Sequence, residues 1–253
     1  DVAIRCEGKP LQRVGSWRRT WWDANDSAVY LEMSVDVEGG RRLERSVLLL
    51  PEDEVVLLAD AVVIPELKHG DHSELLAADI QLRSSLSMTP SISIDSCEET
   101  CEVFGADVKR RFLAIPLALK EWRESCQEHG SLDVSGQRLE LKQSGQAGRL
   151  YAPLWFDCNA RRLKRLQEKP ECNQRTWRQL TVADTREAVR SDEAVGFRVQ
   201  SCLDQWFIYR SLDEARNRTA LGCNVSSEFL VGRVAEKGVV KRLLEVVEDR
   251  VLY

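Results

Sequence analysis

The sequence is short of the residues from which catalytic and metal sites are usually built. Only three histidines and two methionines occur in 253 residues, and of the histidines only His69 and His72 stand close together. A His-dependent triad therefore has few options. Neither Val134-Ser135-Gly136 nor Asn224-Val225-Ser226-Ser227 forms the Gly-x-Ser-x-Gly elbow of a serine hydrolase. No apolar run reaches the roughly 18 to 20 residues of a membrane span. The longest candidate, residues 47–64, is broken by Pro51 and by four acids. A cationic excess is missing too: the formal charge is −5 and the pI about 5.5. That argues against general nucleic-acid binding, which needs a net basic surface to neutralise phosphates. No leader-like segment stands at the start, but the chain opens on Asp1 rather than Met, so the compartment stays open.

Eight cysteines are present, at 6, 97, 101, 126, 158, 172, 202 and 223. Only Cys97 and Cys101 are close, and a zinc site needs a second close pair of Cys or His. No metal and no cofactor are expected. The even count permits disulfides, while free and mostly buried thiols are the favoured reading. Arg outnumbers Lys, 27 to 9. Arginine suits bidentate contacts to carboxylate or phosphate, and a GC-rich genome produces the same bias. With 43% apolar and 30% charged residues, the composition is that of a globular protein rather than a disordered one.

The stretch from Val29 to Ile64 organises the rest. Val29, Leu31, Met33, Val35 and Val37 alternate with Tyr30, Glu32, Ser34 and Asp36, the period-2 pattern of a strand with one buried and one wet face. Glu38-Gly39-Gly40 supplies a turn, Leu43 to Leu50 the next strand, and Pro51 to Glu54 another turn. Val55 to Ile64 is apolar on both faces and so needs cover on both. The pattern continues to the C-terminus: hairpins are expected around Ser135-Gly136-Gln137, Leu203-Asp204 and Glu236-Lys237-Gly238. Pro116 should end its segment at an edge or bulge. The basic segment Arg161 to Lys169 reads as a loop excursion, its cations repelling one another and Pro170 closing it. Val239 to Val247 is assigned to a strand, although Val240, Leu243, Leu244 and Val247 also fit helical spacing. Roughly fourteen to eighteen strands are too many for one open sheet. The expected class is all-β: a large antiparallel sandwich of two sheets formed by residues 1–253 as one domain.

Two stretches carry resemblances. Trp17-Arg18-Arg19-x-Trp21-Trp22-Asp23, Val29-Tyr30-Leu31-Glu32, Arg42-Leu43-Glu44-Arg45 and Val56-Leu57-Leu58-Ala59-Asp60 resemble the C-terminal β-sandwich of heparinase II/III-type polysaccharide lyases. There an Arg-rich strand is likewise followed by an apolar strand ending in Asp. Thr176-Trp177-Arg178, Asp192 to Val199, Gln205-Trp206, Arg216-Asn217-Arg218-Thr219 and Ser226 to Gly232 are similar to a recurrent all-β domain of uncharacterised bacterial proteins. The first resemblance covers about fifty residues. It implies a supersandwich architecture and a link to polysaccharides. It carries over no catalytic residue, because the lyases keep most of theirs in a helical toroid that this chain lacks.

Among candidate chemistries the aromatic run is the most suggestive. Trp17, Arg19 and Trp21 would share one face of a regular strand, and Arg18, Thr20 and Trp22 the other. Exposed, such rings stack on sugars; buried, they are core with Arg alongside. Arg216 and Arg218 could grip an anion between them or pin a long loop to neighbouring carbonyls. His69 and His72 with Asp71 and Glu74 lack the fixed spacing of a helical metal pair, and a solvated loop is the simpler reading. The carboxylate pairs Glu98-Glu99 and Asp213-Glu214 are neighbours in sequence, which does not set two carboxyls across a cleft. The leading expectation is a non-catalytic binding or structural β-sandwich domain, cut from or working beside a larger bacterial protein. The competing one is a carbohydrate-active enzyme or carbohydrate-binding accessory module, with a polysaccharide as partner. Edge strands of so large a sandwich also invite self-association.

Overall fold

In a computed structural model, the described residues are 1–65, 78–126, 129–168, 175–235 and 238–247. The stretch with His69, Asp71, His72 and Glu74 lies outside them, as do Cys172 and the Glu236-Lys237 turn. In chain order the strands begin with β1 (Val2–Cys6), β2 (Lys9–Leu11), β3 (Arg13–Ala24), β4 (Val29–Val37), β5 (Arg41–Leu50) and β6 (Val55–Val63). Next come β7 (Asp79–Ser87), β8 (Ser93–Ser96), β9 (Val103–Ala106), β10 (Arg110–Pro116), β11 (Gly130–Ser135), β12 (Arg138–Gln146) and β13 (Leu150–Asp157). The last third holds β14 (Arg175–Leu180), β15 (Ala183–Asp184), β16 (Glu187–Ala188), β17 (Ala194–Ser201) and β18 (Asp204–Ser211). It closes with β19 (Arg218–Ala220), β20 (Cys223–Val225), β21 (Phe229–Val234) and β22 (Val240–Val246). Among the described residues two helices interrupt them, α1 (Arg123–Cys126) and α2 (Ala160–Glu168).

The fold is an all-β antiparallel sandwich, and its strands divide among four sheets rather than two. The central sheet has the order β3-β4-β5-β6-β13-β10-β9-β8. A first flanking sheet, β11-β12-β7-β1-β2, covers part of one face. There Ser84 of β7 donates to Asp60 of β6, and Leu86 and Leu141 line a cavity of about 160 Å³ together with Ala152 and Leu154. A second flanking sheet, β14-β17-β18-β21-β22, covers the opposite face through three ring pairs. Tyr30 stacks on Phe229 at 4.6 Å, Tyr151 faces Phe197 at 6.2 Å, and Trp155 meets Trp206 at 5.2 Å. The small outer sheet β16-β15-β19-β20 packs Val182, Ala220 and Val225 against Phe207, Tyr209 and Leu230 on the far side of that layer. Strand β13 lies in the middle and is buried along its whole length, as a strand covered on both faces must be.

Three local expectations are corrected. In the first part of β4 the faces are exchanged, Tyr30, Glu32 and Ser34 being buried while Val29, Leu31 and Met33 are half-buried. At its end the expected face holds, with Val35 and Val37 buried and Asp36 half-buried. The cause of the exchange is Arg210, whose guanidinium reaches across from β18 and supplies the counter-charge that lets Glu32 leave water. The basic segment expected to loop out is helix α2. Its first turn is capped by Asn159, whose side-chain oxygen accepts from the N–H groups of Arg161 at 3.1 Å and Arg162 at 3.0 Å. Leu163 and Leu166 are buried beneath it, and Arg162 is neutralised by Asp157. Finally, Pro116 sits in an interior strand, opposite Leu154. It is tolerated as the last residue of β10, the next N–H, that of Leu117, donating to Pro153. The final segment is a strand, as assigned. Cys6, Cys97, Cys101, Cys158, Cys202 and Cys223 are free thiols.

Candidate functional site

The aromatic run lies on β3, which forms an edge of the central sheet. Two register breaks, between Val14 and Arg18 and between Arg19 and Trp21, interrupt its pairing with β4. The second break moves Trp21 opposite Glu32 and Trp22 opposite Leu31. Trp21 therefore shares a face with Arg18, opposite Ser34, and Trp22 shares one with Arg19, opposite Met33. This differs from simple alternation, which puts Trp17, Arg19 and Trp21 together. Trp17 and Trp21 pack against the hydrophobic core, and the Arg45 guanidinium lies 5.9 Å from the Trp17 ring. Trp22 is 56% exposed. Arg18 is paired with Asp36 at 2.9 Å, and Arg19 is exposed.

The two loop arginines part company. Arg218 is buried on the outer sheet and donates to the hydroxyls of Ser211 at 2.7 Å and Tyr209 at 3.2 Å. Arg216 stays on the surface, 3.6 Å from Glu214. The sequence-predicted residues thus occupy two sheets, the central one for Trp17, Arg19, Trp21 and Trp22 and the outer one or its approach for Arg216 and Arg218.

A different constellation forms at the edge of the second flanking sheet. The connection after β10 places Leu119, Lys120, Glu121 and Trp122 against β14, and together with Trp177, Arg178 and Gln179 they line a cleft of about 470 Å³. The floor is fixed by hydrogen bonds. The Trp177 indole donates to the Leu119 carbonyl at 2.7 Å, and the Trp177 backbone N–H donates to a Glu121 carboxylate oxygen at 2.7 Å. The Thr176 hydroxyl donates to that oxygen as well. A bridge between Thr100 and Trp122 and a bond from the Cys101 N–H to the Glu121 carbonyl hold the connection from behind. Trp122 itself remains 56% exposed, and Lys120, Arg178 and Gln179 are exposed beside it.

Arg178 also borders a second hollow of about 190 Å³ with Thr176, Arg198 and Gln200. In the ladder between β14 and β17, Arg178 and Arg198 stand directly opposite each other. Like charges in that position repel. Arg198 donates to the neutral Gln205 carbonyl at 2.6 and 3.1 Å, and neither guanidinium pairs with a carboxylate among the described residues. Among the described residues, Glu121 is the one carboxylate lining these hollows, and it is held by Thr176 and Trp177. Those residues offer one aromatic face, three cations and two amides, and among them no opposed pair of acids. Sequence reading passed over it because its members come from residues 120–122, 176–179 and 198–200, with no local pattern joining them.

Acid groups do meet elsewhere, in the interior. Arg210 donates to Glu32 at 2.7 Å and to Glu44 at 2.6 Å, and the Tyr30 hydroxyl donates to Glu32 at 2.8 Å. Burial pushes the Glu44 carboxyl up, and the nearby Glu32 charge adds to that against the pull of Arg210. Burial acts on Glu32 in the same sense, but Arg210 and the Tyr30 hydroxyl outweigh it and hold Glu32 below the usual carboxylate range. This cluster ties the central sheet to the second flanking sheet. Its outer edge, with Arg42, Asp213, Glu214 and Glu228, borders a cavity of about 330 Å³.

No family model matches the chain, and no curated protein matches it in sequence. Among solved structures, the heparan sulfate lyase HepC from Pedobacter heparinus aligns with a TM-score of 0.48 at 8% identity, over 84% of this chain and 30% of that one. A heparinase III gene product aligns with a TM-score of 0.44 at 8% identity, over 82% of this chain and 29% of that one. The chain thus spans about 30% of the length of these lyases. At TM-scores below 0.5 these matches carry no argument about activity.

Proposed function

We propose that this chain is a non-catalytic binding module that holds a polysaccharide bearing carboxylate or sulfate groups in the cleft beside Trp122. The observation that supports this reading is the exposed Trp122 ring in one cleft with Lys120 and Arg178, the last of which faces Arg198 in the adjoining hollow, neither arginine pairing with a carboxylate among the described residues. A flat aromatic face suits the C–H face of a sugar ring, and a guanidinium suits a planar or tetrahedral anion. The module is read as non-catalytic because Glu121, the acid nearest the cleft, is already the acceptor for Trp177 and Thr176.

Titration with acidic and neutral polysaccharides, followed by intrinsic tryptophan fluorescence, tests this. Binding of an acidic glycan is expected, with neutral ones inert and affinity falling as salt is raised. Trp122→Ala should weaken it by about tenfold or more, as truncation of an aromatic anchor does. Arg178→Ala with Arg198→Ala should flatten the salt dependence, while Trp22→Ala should leave binding unchanged. Assays for new reducing ends and for unsaturated products with the same glycans should stay at the blank. Absence of binding to every glycan would leave a structural role for the domain.

A further inference from the structure

The pairing of β3 to β6 lays out one face of the central sheet row by row. The first row is Ala24, Val29, Leu49 and Val56; the second is Trp22, Leu31, Val47 and Leu58; the third is Arg19, Met33, Arg45 and Asp60. These residues share the side that carries Asp60, and Asp60 is where the first flanking sheet arrives, through Ser84. That sheet stops short of the first two rows on β3, β4 and β5. Trp22 is 56% and Leu49 39% exposed, Val29, Leu31, Met33 and Val47 are half-buried, and none of the six belongs to either hydrophobic core. A soluble chain does not ordinarily leave a sheet face apolar across three adjacent strands.

The charges around this strip are polarised. At one end stand exposed Asp26, in the turn before β4, and exposed Glu52 and Glu54, in the turn before β6. At the other stands exposed Arg19, the Arg45 charge in the same row being already answered by Asp60 at 2.7 Å. We infer that this strip is the surface on which two copies of the chain associate face to face. A two-fold axis running across the strands lays the strip on itself with strand directions reversed. Strand β3 of one copy then lies over β3 of the other, so the Asp26 turn of each faces Arg19 of its partner, twice. An axis along the strands would set acid on acid, so the charge pattern selects the first arrangement. With strands about 4.8 Å apart and rows about 6.8 Å apart, the strip measures roughly 300 Å² per copy. That is short of the roughly 800 Å² per partner of a stable complex, so the association is weak and concentration-dependent.

Sedimentation equilibrium from about 10 µM to about 1 mM tests it. The expected result is a weight-average mass rising from 28.8 kDa toward twice that value. Leu49→Lys, at a side chain already exposed, should keep the unfolding temperature and lower the association constant by about tenfold or more. Arg19→Glu alone, and Asp26→Lys alone, should each weaken self-association. An equimolar mixture of those two variants should recover it, because each heterodimer contact then joins opposite charges or keeps the native pair. A single 28.8 kDa species over the whole range would overturn the inference. So would a dimer that ignores Leu49→Lys and shows no recovery on mixing, since the contact would then lie elsewhere, for instance at a free strand edge.

Discussion

Arg210→Met should cost the folded state about 3–5 kcal/mol at neutral pH, the range for removing one side of a buried ion pair. The Arg210 guanidinium is 5% exposed and lies between two carboxylates contributed by neighbouring strands of another sheet. Methionine keeps most of the stem's volume, so the loss is mainly that of the charge, leaving Glu32 and Glu44 facing each other in the interior. Folding then requires one or both to be protonated.

The pH dependence follows from the directions of the shifts. In the native protein the Glu32 carboxyl titrates below its unfolded value. Its contribution is therefore present above the unfolded pKa and is lost as pH falls through the folded one. Glu44 is raised, so the folded state takes up its proton first. Stability from Glu44 thus declines as pH rises between the unfolded and the folded value. In Arg210→Met both carboxyls should move up, and the deficit against the native chain should shrink as pH is lowered from about 7.5 to about 5. Urea unfolding followed by fluorescence at both values measures it. Adding Glu32→Gln and Glu44→Gln to the variant should restore most of the loss, since uncharged groups are far cheaper to bury. A deficit under about 1 kcal/mol, or one equal at both pH values, would mean that water reaches the carboxylates and the cluster is not the dry contact described above.

The same residues show where sequence reading succeeds and where it stops. The meander from β4 to β6 was legible because its information is local: period-2 alternation, glycines at Gly39 and Gly40 that both take positive φ, and a Pro-led turn. The burial of Val35 and Val37 was legible, but that of the opposite face at the other end of β4 was not, because Glu32 is buried on account of a residue 178 positions away. Alternation identifies two faces, but their assignment depends on what covers them. On β3 a single extra residue, Thr20, exchanged the faces of the two neighbouring tryptophans relative to Arg18 and Arg19, and nothing in the local composition marks such a bulge. The Trp122 cleft is an extreme case. Its cations lie on a connection and two strands, and Arg178 meets Arg198 only through the ladder register.

Helix α2 was missed for a related reason, and the second large effect is expected there. Four cations in the segment Arg161 to Arg165 and Lys169 argue against a helix when their own charges are all that is considered. What decides is the partner: Asp157, fully buried at the end of β13, accepts from Arg162 at 2.8 and 2.9 Å and from Ser201 at 2.6 Å. Arg162 also donates to the Asp53 carbonyl at 2.5 Å, and its guanidinium lies 5.0 Å from the Trp206 ring. The side chain thus fastens α2 to the central sheet and to the second flanking sheet at one point. Arg162→Ala leaves Asp157 charged and buried without its cation and should cost about 3–5 kcal/mol, like the loss of Arg210. The two variants should differ in kind. Loss of Arg210 weakens the contact between two whole layers, whereas loss of Arg162 releases one helix, so local opening should outrun global unfolding. Cys202 reports it, since its thiol reaches the Arg162 carbonyl at 3.8 Å and is pushed up by burial, which keeps it protonated and slow to react. In Arg162→Ala, thiol labelling at Cys202 under native conditions should accelerate by about tenfold or more. In Arg210→Met it should rise only in proportion to global unfolding. Equal labelling rates in the native chain and Arg162→Ala would show that Asn159 and the buried leucines hold α2 without the ion pair.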